Sequence, residues 1–150
     1  MRRITFSLVA VVALAGVVTS MVPHLDTPTA GSTQGVPLRE TVTVAADEPL
    51  PNLPGKRLVS QIVDYPPGAS SAPHRHARST FIYAYVLSGA IRSQVDDEPV
   101  RVYRPGETWF EKPGAYHRVS ANASDTEPAR LLAVLVVDAA DQQLVIPDPQ

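Results

Sequence analysis

The chain has 150 residues, 44% hydrophobic and 19% charged, with 13 basic against 15 acidic residues and a net charge of -2. This is the length of one domain and the composition of a globular chain, which excludes a disordered tail and a polytopic membrane protein. Without a basic excess there is no electrostatic footprint for nucleic acid. Without cysteine there is no disulfide framework, thiolate metal site, cysteine nucleophile or iron–sulfur cluster.

The chain opens with Arg2 and Arg3 ahead of an apolar run from Ile4 to Val18, followed by the small residues Thr19 and Ser20. A positive start and an apolar stretch of this length are laid out as a secretory signal peptide. Residues 1–20 are therefore expected to form a signal helix, and the protein to be exported, periplasmic or extracellular. If the segment is kept, Ile4 to Val22 offers 19 mostly apolar positions, close to the roughly 20 needed to span a bilayer. Contact with a membrane is expected only through residues 4–22. Removing residues 1–20 takes away two arginines and no acid, which leaves the rest near -4. Residues 21–39 are expected to form a flexible leader, since Pro23 to Gly35 lack periodicity and are rich in Pro, Thr, Ser and Gly.

Residues 40–150 are expected to form an all-β domain. Alternating runs predict strands over 40–46, 57–64, 80–87, 90–95, 100–103, 108–111, 116–121 and 130–137, with a short tail at 144–146. Turn signals separate them: Pro66-Pro-Gly68, Ser88-Gly89, Asp96-Asp-Glu-Pro99, Arg104-Pro-Gly106 and Lys112-Pro-Gly114. The 15 prolines argue against long helices. Short, evenly spaced strands of this kind make a sandwich or barrel. The run Leu131 to Val137 is apolar on both faces, which predicts a strand covered on both sides.

Of four histidines, His24 falls in the leader. The others are His74 and His76, in Pro73-His-Arg-His-Ala77, and His117, in Pro113-Gly-Ala-Tyr-His117. On an extended segment, residues two apart share a face, so His74 and His76 can present both imidazoles to one point. Burying two imidazoles without partners is costly, and a divalent cation satisfies a nitrogen on each.

The stretch Gly68-x5-His74-Arg-His76, running on to Gly89, resembles the first motif of the cupin superfamily. Gly106-x6-Pro113-Gly114-Ala-Tyr-His117, followed by Asn122, is similar to the second. The resemblance covers residues 68 to 122 and implies a small single-domain cupin: an antiparallel β-barrel, or jelly roll, holding one divalent metal. By position it implies His74, His76 and His117 as the metal ligands. The glutamate of the first motif is absent. Counting back from Gly89 puts its position at Ile82, and counting forward from His76 puts it at Thr80 or Phe81. Lys112 also stands where the second motif usually has its first proline, and Asn122 comes one residue late.

Three neutral imidazoles without that glutamate would leave the ion its full double charge, a more electrophilic site. Iron, zinc, manganese, copper or nickel all suit nitrogen ligands, whereas magnesium and calcium prefer oxygen. A replacement ligand could come from Glu107, Glu111 or Gln61. Strand parity puts Glu107, Trp109 and Glu111 on one face without saying which face. Thr80, Ile82, Ala84 and Val86 share the face of the lost glutamate and make a small apolar wall, with Tyr83 and Tyr85 turned away. Arg75 and Arg78 flank the first motif, where they could clamp an anion at the barrel mouth.

The expected function is that of an exported mononuclear metalloenzyme of dioxygenase, isomerase or lyase type, acting on a small oxygenated substrate. The alternative is a non-catalytic barrel that captures a small molecule or metal. The sequence leaves open whether the protein is an enzyme at all, and no residue beyond the metal ligands is assigned to catalysis. Cupins often pair through sheet edges, which together with outward tyrosines at 83 and 85 implies a homodimer.

Overall fold

Eleven β-strands make up the regular structure of residues 38–148, the part of the chain that the computed structural model describes. They are β1 (Thr41–Pro49), β2 (Lys56–Tyr65), β3 (Ser70–Ser71), β4 (His74–His76), β5 (Phe81–Ser88) and β6 (Ile91–Val95). After these come β7 (Arg101–Tyr103), β8 (Thr108–Glu111), β9 (Tyr116–Asn122), β10 (Ala129–Asp138) and β11 (Val145–Pro147). The expected strands fall within a few residues of nine of these; β3 and β4 are additional. Among the described residues there is no helix long and apolar enough to cross a membrane. The expected signal segment, and the leader as far as residue 37, lie outside the described residues.

All strand pairs are antiparallel and fall into two sheets. One has the order β1-β2-β10-β5-β8. The other has the order β11-β4-β9-β6-β7, with β3 also paired to β9. Strand alternation turns one face of each sheet inward. From the first sheet Val59 and Val63 of β2, Ile82, Ala84 and Val86 of β5, and Leu131, Leu135 and Val137 of β10 are buried. The buried apolar residues separate into two clusters. One is built around Val63, Val86, Ile91, Trp109 and Leu131, the other around Val59, Ile82, Leu135 and Val137.

Strand β10 is the centre of its sheet, between β2 and β5. The expectation that both of its faces are covered is corrected. Leu131, Leu135 and Val137 are buried, but Leu132, Val134 and Val136 on the other face are only half-buried. Their shelter comes from in-sheet neighbours such as Ile62, Tyr83 and Tyr85, with no second layer over them among the described residues.

Two residues of the motifs act on the backbone. Gly89, between β5 and β6, has φ +68°, and a Cβ there would sit 2.4 Å from the Pro128 carbonyl oxygen and 2.6 Å from Ala129 Cα. Only glycine permits both the left-handed turn and this approach. The buried Asn122 donates from Nδ2 to the carbonyls of Tyr65, Pro66 and Glu127, and its Oδ1 accepts from the Ser124 N–H. It thus ties the end of β2 to the loop that leads into β10. At the other end, the Ser70 N–H donates to the Leu38 carbonyl at 3.1 Å, which ties the chain at residue 38 to β3.

Candidate metal centre

Strand β4 is three residues long and is held by β9 on one side and β11 on the other. Its alternation leaves His74 half-buried, Arg75 exposed and His76 buried, so the two imidazoles share the inner face. In the ladder with β9, His74 stands directly opposite His117. Ring centroids are 4.8 Å apart for His74 and His76, 5.3 Å for His74 and His117, and 6.3 Å for His76 and His117. One nitrogen from each ring lies within 4.8 Å of the others, a grouping that could hold a metal ion.

Each imidazole is oriented by its other nitrogen. His74 Nδ1 donates to the Ala72 carbonyl at 2.8 Å, and His76 Nδ1 to the Leu144 carbonyl at 3.2 Å. A carbonyl only accepts, so these two rings carry their protons on Nδ1 and turn the Nε2 lone pair inward. His117 is reversed: Nε2 bonds Ser93 Oγ at 2.9 Å and Nδ1 faces the interior. Such outer partners fix ring orientation and tautomer at metal sites. Burial disfavours the charged forms of His74 and His117 as well, lowering His74 from its ordinary value and pushing His117 down to about 4 against the opposing pull of Glu111. Neutral imidazole is the form that binds metal.

A carboxylate completes the cluster. The strand parity left open by the sequence resolves with Trp109 and Glu111 inward and Phe110 outward. Glu111 is 2% exposed. Its Oε2 lies 3.0 Å from His76 Nε2 and its Oε1 3.3 Å from His117 Nδ1, and Trp109 Nε1 donates to Oε1 at 3.1 Å. Burial works against ionisation here, yet the imidazoles of His76 and His117 beside it hold the carboxyl down at about 2. His76 Nε2 and Glu111 Oε2 face each other, and each is buried with no other partner. Two converging buried polar atoms with no other partner are a natural pair of donors for a cation. On this observation the residues fit a divalent metal.

The cluster opens into a cavity of about 330 Å³ that lies between the two apolar clusters of the core. Ile82 and Ala84 form part of its wall, as the sequence predicts, joined by Val63, Leu131 and Leu135. On the polar side, the Tyr65 hydroxyl bonds Ser71 Oγ at 2.9 Å and Ser120 Oγ at 2.7 Å, and burial raises its pKa. Gln61 lines the cavity. Glu107 does not: its carboxylate caps its own turn by accepting from the Arg104 N–H. Arg75 and Arg78 are also absent from this wall. The Arg75 guanidinium stacks on the Tyr116 ring at 4.5 Å outside the barrel, and both arginines border a separate hollow with Pro113 and Gly114. A clamp on this cavity, one option open to these arginines, is therefore not formed: Arg75, between two inward histidines, points outward and is exposed. The cavity instead receives Arg39 and Glu40 from the segment leading into β1, and Glu40 Oε2 is buried without a partner. Nothing local in the sequence marks Glu40, Tyr65 or Ser93 as part of this site. Tyr65 shares its parity in β2 with Gln61 and Val63, a signal that could have placed it inward.

A family model described as a cupin domain matches residues 61–135. A cupin-domain-containing oxidoreductase of Aspergillus ruber is 28% identical over 78 residues, which are 52% of this chain and 37% of that protein. The chain therefore spans well under half the length of this curated relative. A Klebsiella pneumoniae protein with a double-stranded β-helix domain superposes with a TM-score of 0.53 at 20% identity, covering 77% of this chain and 85% of that one. A recombinant oxalate oxidase solved with glycolate superposes with a TM-score of 0.56 at 22% identity, over 75% and 57% of the two chains. These two likenesses concern the fold alone.

Proposed function

The chain belongs to the cupin family, and we propose that it is a mononuclear metalloenzyme in which His74, His76 and His117 hold one divalent transition metal. The observation that carries this reading is the orientation of the three rings. Each has its far nitrogen tied to a neighbour and its near nitrogen turned toward one point. An all-nitrogen face of this kind suits iron, zinc, manganese, copper or nickel. When bound, the ion would supply Lewis acidity or a redox couple toward an oxygen-bearing substrate. The oxidoreductase description of the relative at 28% identity supports the redox form.

The substrate is a small molecule with an apolar body and an oxygen function. The cavity, about 330 Å³, is at the lower end of the roughly 300–1,000 Å³ typical of ligand pockets. Val63, Ala84 and Leu131 would pack the apolar part. The Tyr65 hydroxyl, braced by Ser71 and Ser120, offers a donor on the polar wall. Glu40, with a buried unpaired oxygen, is the group placed to accept a proton from the substrate. It supplies the base that the histidines do not, which favours catalysis over passive capture.

Export is proposed from the basic and apolar start of the chain. A homodimer is proposed through the outer face of the five-stranded sheet. There Phe81 and Phe110 are 41% and 59% exposed and stack at 5.7 Å, with Tyr83 against Phe110 at 5.5 Å. The same face carries the opposite-charge pairs Arg130–Asp64 and Lys56–Asp138, so a second copy related by a two-fold axis meets no net like charge.

The test is elemental analysis of protein purified without an affinity tag, beside a His74→Ala, His76→Ala variant. About one equivalent of a transition metal in the parent, lost in the variant, is expected. No metal in the parent even after reconstitution overturns the reading.

A further inference from the structure

We propose that Glu111 is a fourth ligand of the same metal, a carboxylate delivered from β8 that closes a three-histidine, one-carboxylate set. This inference rests on the metal reading above and adds the atom that reading lacks. Glu111 Oε1 is engaged by the Trp109 N–H, whereas Oε2 has no partner and lies 3.0 Å from the equally unpaired His76 Nε2. With His76 neutral and its proton on Nδ1 toward the Leu144 carbonyl, the two facing atoms are both lone-pair donors, which repel unless a cation lies between them. Their spacing suits that cation. Two ligands each about 2.1 Å from one ion, at angles of about 90–110°, stand about 3.0–3.4 Å apart. Glu111 Oε2 is 3.0 Å from His76 Nε2, within that range, and the other oxygen, Oε1, is 3.3 Å from His117 Nδ1.

The register explains how the sequence reaches this arrangement without a glutamate in its first histidine motif. Ile82, the position reached by counting back from Gly89, is paired across the ladder with Glu111. Directly opposed residues on one face have Cβ atoms about 4.5–5.5 Å apart. A carboxylate on β8 can therefore enter the same region of the barrel as one on β5, with Ile82 filling the vacated place as buried wall. The consequence is electrostatic. One carboxylate lowers the net charge of the loaded site from +2 to +1, giving a tighter and less electrophilic centre than three imidazoles alone.

Cobalt(II) is the probe, added to the metal-stripped full chain and followed by equilibrium dialysis and by its visible d–d absorption. Loss of an outer partner costs about 10–100-fold in metal affinity, so loss of a direct ligand in Glu111→Gln should weaken binding by about 100-fold or more. The absorption envelope should change as the oxygen donor leaves. The double variant Ile82→Glu, Glu111→Leu, which moves the carboxylate back across the ladder, should recover most of the affinity. An unchanged spectrum in Glu111→Gln, with or without weaker binding, overturns the inference and leaves the three-histidine site standing. A parent that takes up no cobalt overturns both. Should the variants fail to fold, a crystal structure of the cobalt-loaded parent decides: a Glu111 oxygen about 2.0–2.2 Å from the ion is expected, and one beyond contact refutes it.

Discussion

Acidification should destabilise the metal-free protein in a window set by His117. Burial pushes this imidazole down to about 4 from an ordinary 6.5. The folded state thus favours its neutral form, whereas the unfolded chain takes up the proton readily. A depressed folded pKa means that the associated stability is fully present above pH 6.5 and is lost as pH falls toward 4. At about 1.4 kcal/mol per pH unit, the difference between 6.5 and about 4 corresponds to a ceiling of about 3–4 kcal/mol. His74 shifts in the same direction and adds to the loss. Glu111, held at about 2 against an ordinary 4.5, contributes a further loss only as pH falls below 4.5. Urea denaturation of the stripped protein at pH 7, 6, 5 and 4, beside His117→Gln, measures the effect. The parent should lose stability steadily from pH 6.5 to 4, and the variant should show a visibly shallower slope. Equal slopes in parent and variant would refute the assignment of a buried, neutral His117. Loading the metal should move the loss to lower pH, because protons then have to displace the ion from imidazoles that it holds neutral.

The outer partners and the outer face are also open to test. Ser93→Ala removes the group that orients His117 through Nε2. It should weaken metal binding about 10–100-fold in competition against a chelator, with little change in melting temperature. Binding within threefold of the parent would show that the ring is held by its packing alone. Phe81→Glu with Phe110→Glu puts two charges on the exposed aromatic stack of the five-stranded sheet. Light scattering should find the parent a dimer and this variant a monomer with unchanged metal content. A monomeric parent at high concentration would end the dimer proposal.

The all-β architecture, and nine of the strands to within a few residues, are legible in local pattern. Alternation with period two reports that a strand has an inside, and Pro-Gly and Asp-rich turns report where it stops. The three histidines are legible for the same reason. His74 and His76 share a parity, and the spacings around them and around His117 match two recognisable motifs. Parity, however, does not say which side of a strand meets the core. For β8 the sequence could place Glu107, Trp109 and Glu111 together but could not aim them. In the fold Trp109 and Glu111 turn inward, while Glu107 is spent on its own turn. The remaining contributors come from pairings far apart in the chain. His74 faces His117 only because β4 docks on β9. Ser93 reaches His117 only because β6 lies on the other side of β9. Glu40 and Tyr65 meet the same cavity because β1 and β2 close the opposite sheet over it. Local pattern along the chain specifies a barrel of short strands and the imidazoles most apt to bind metal. The carboxylate, the outer partners and the cavity arise only on folding, because they depend on which strands become neighbours across the barrel, and local periodicity carries no record of that.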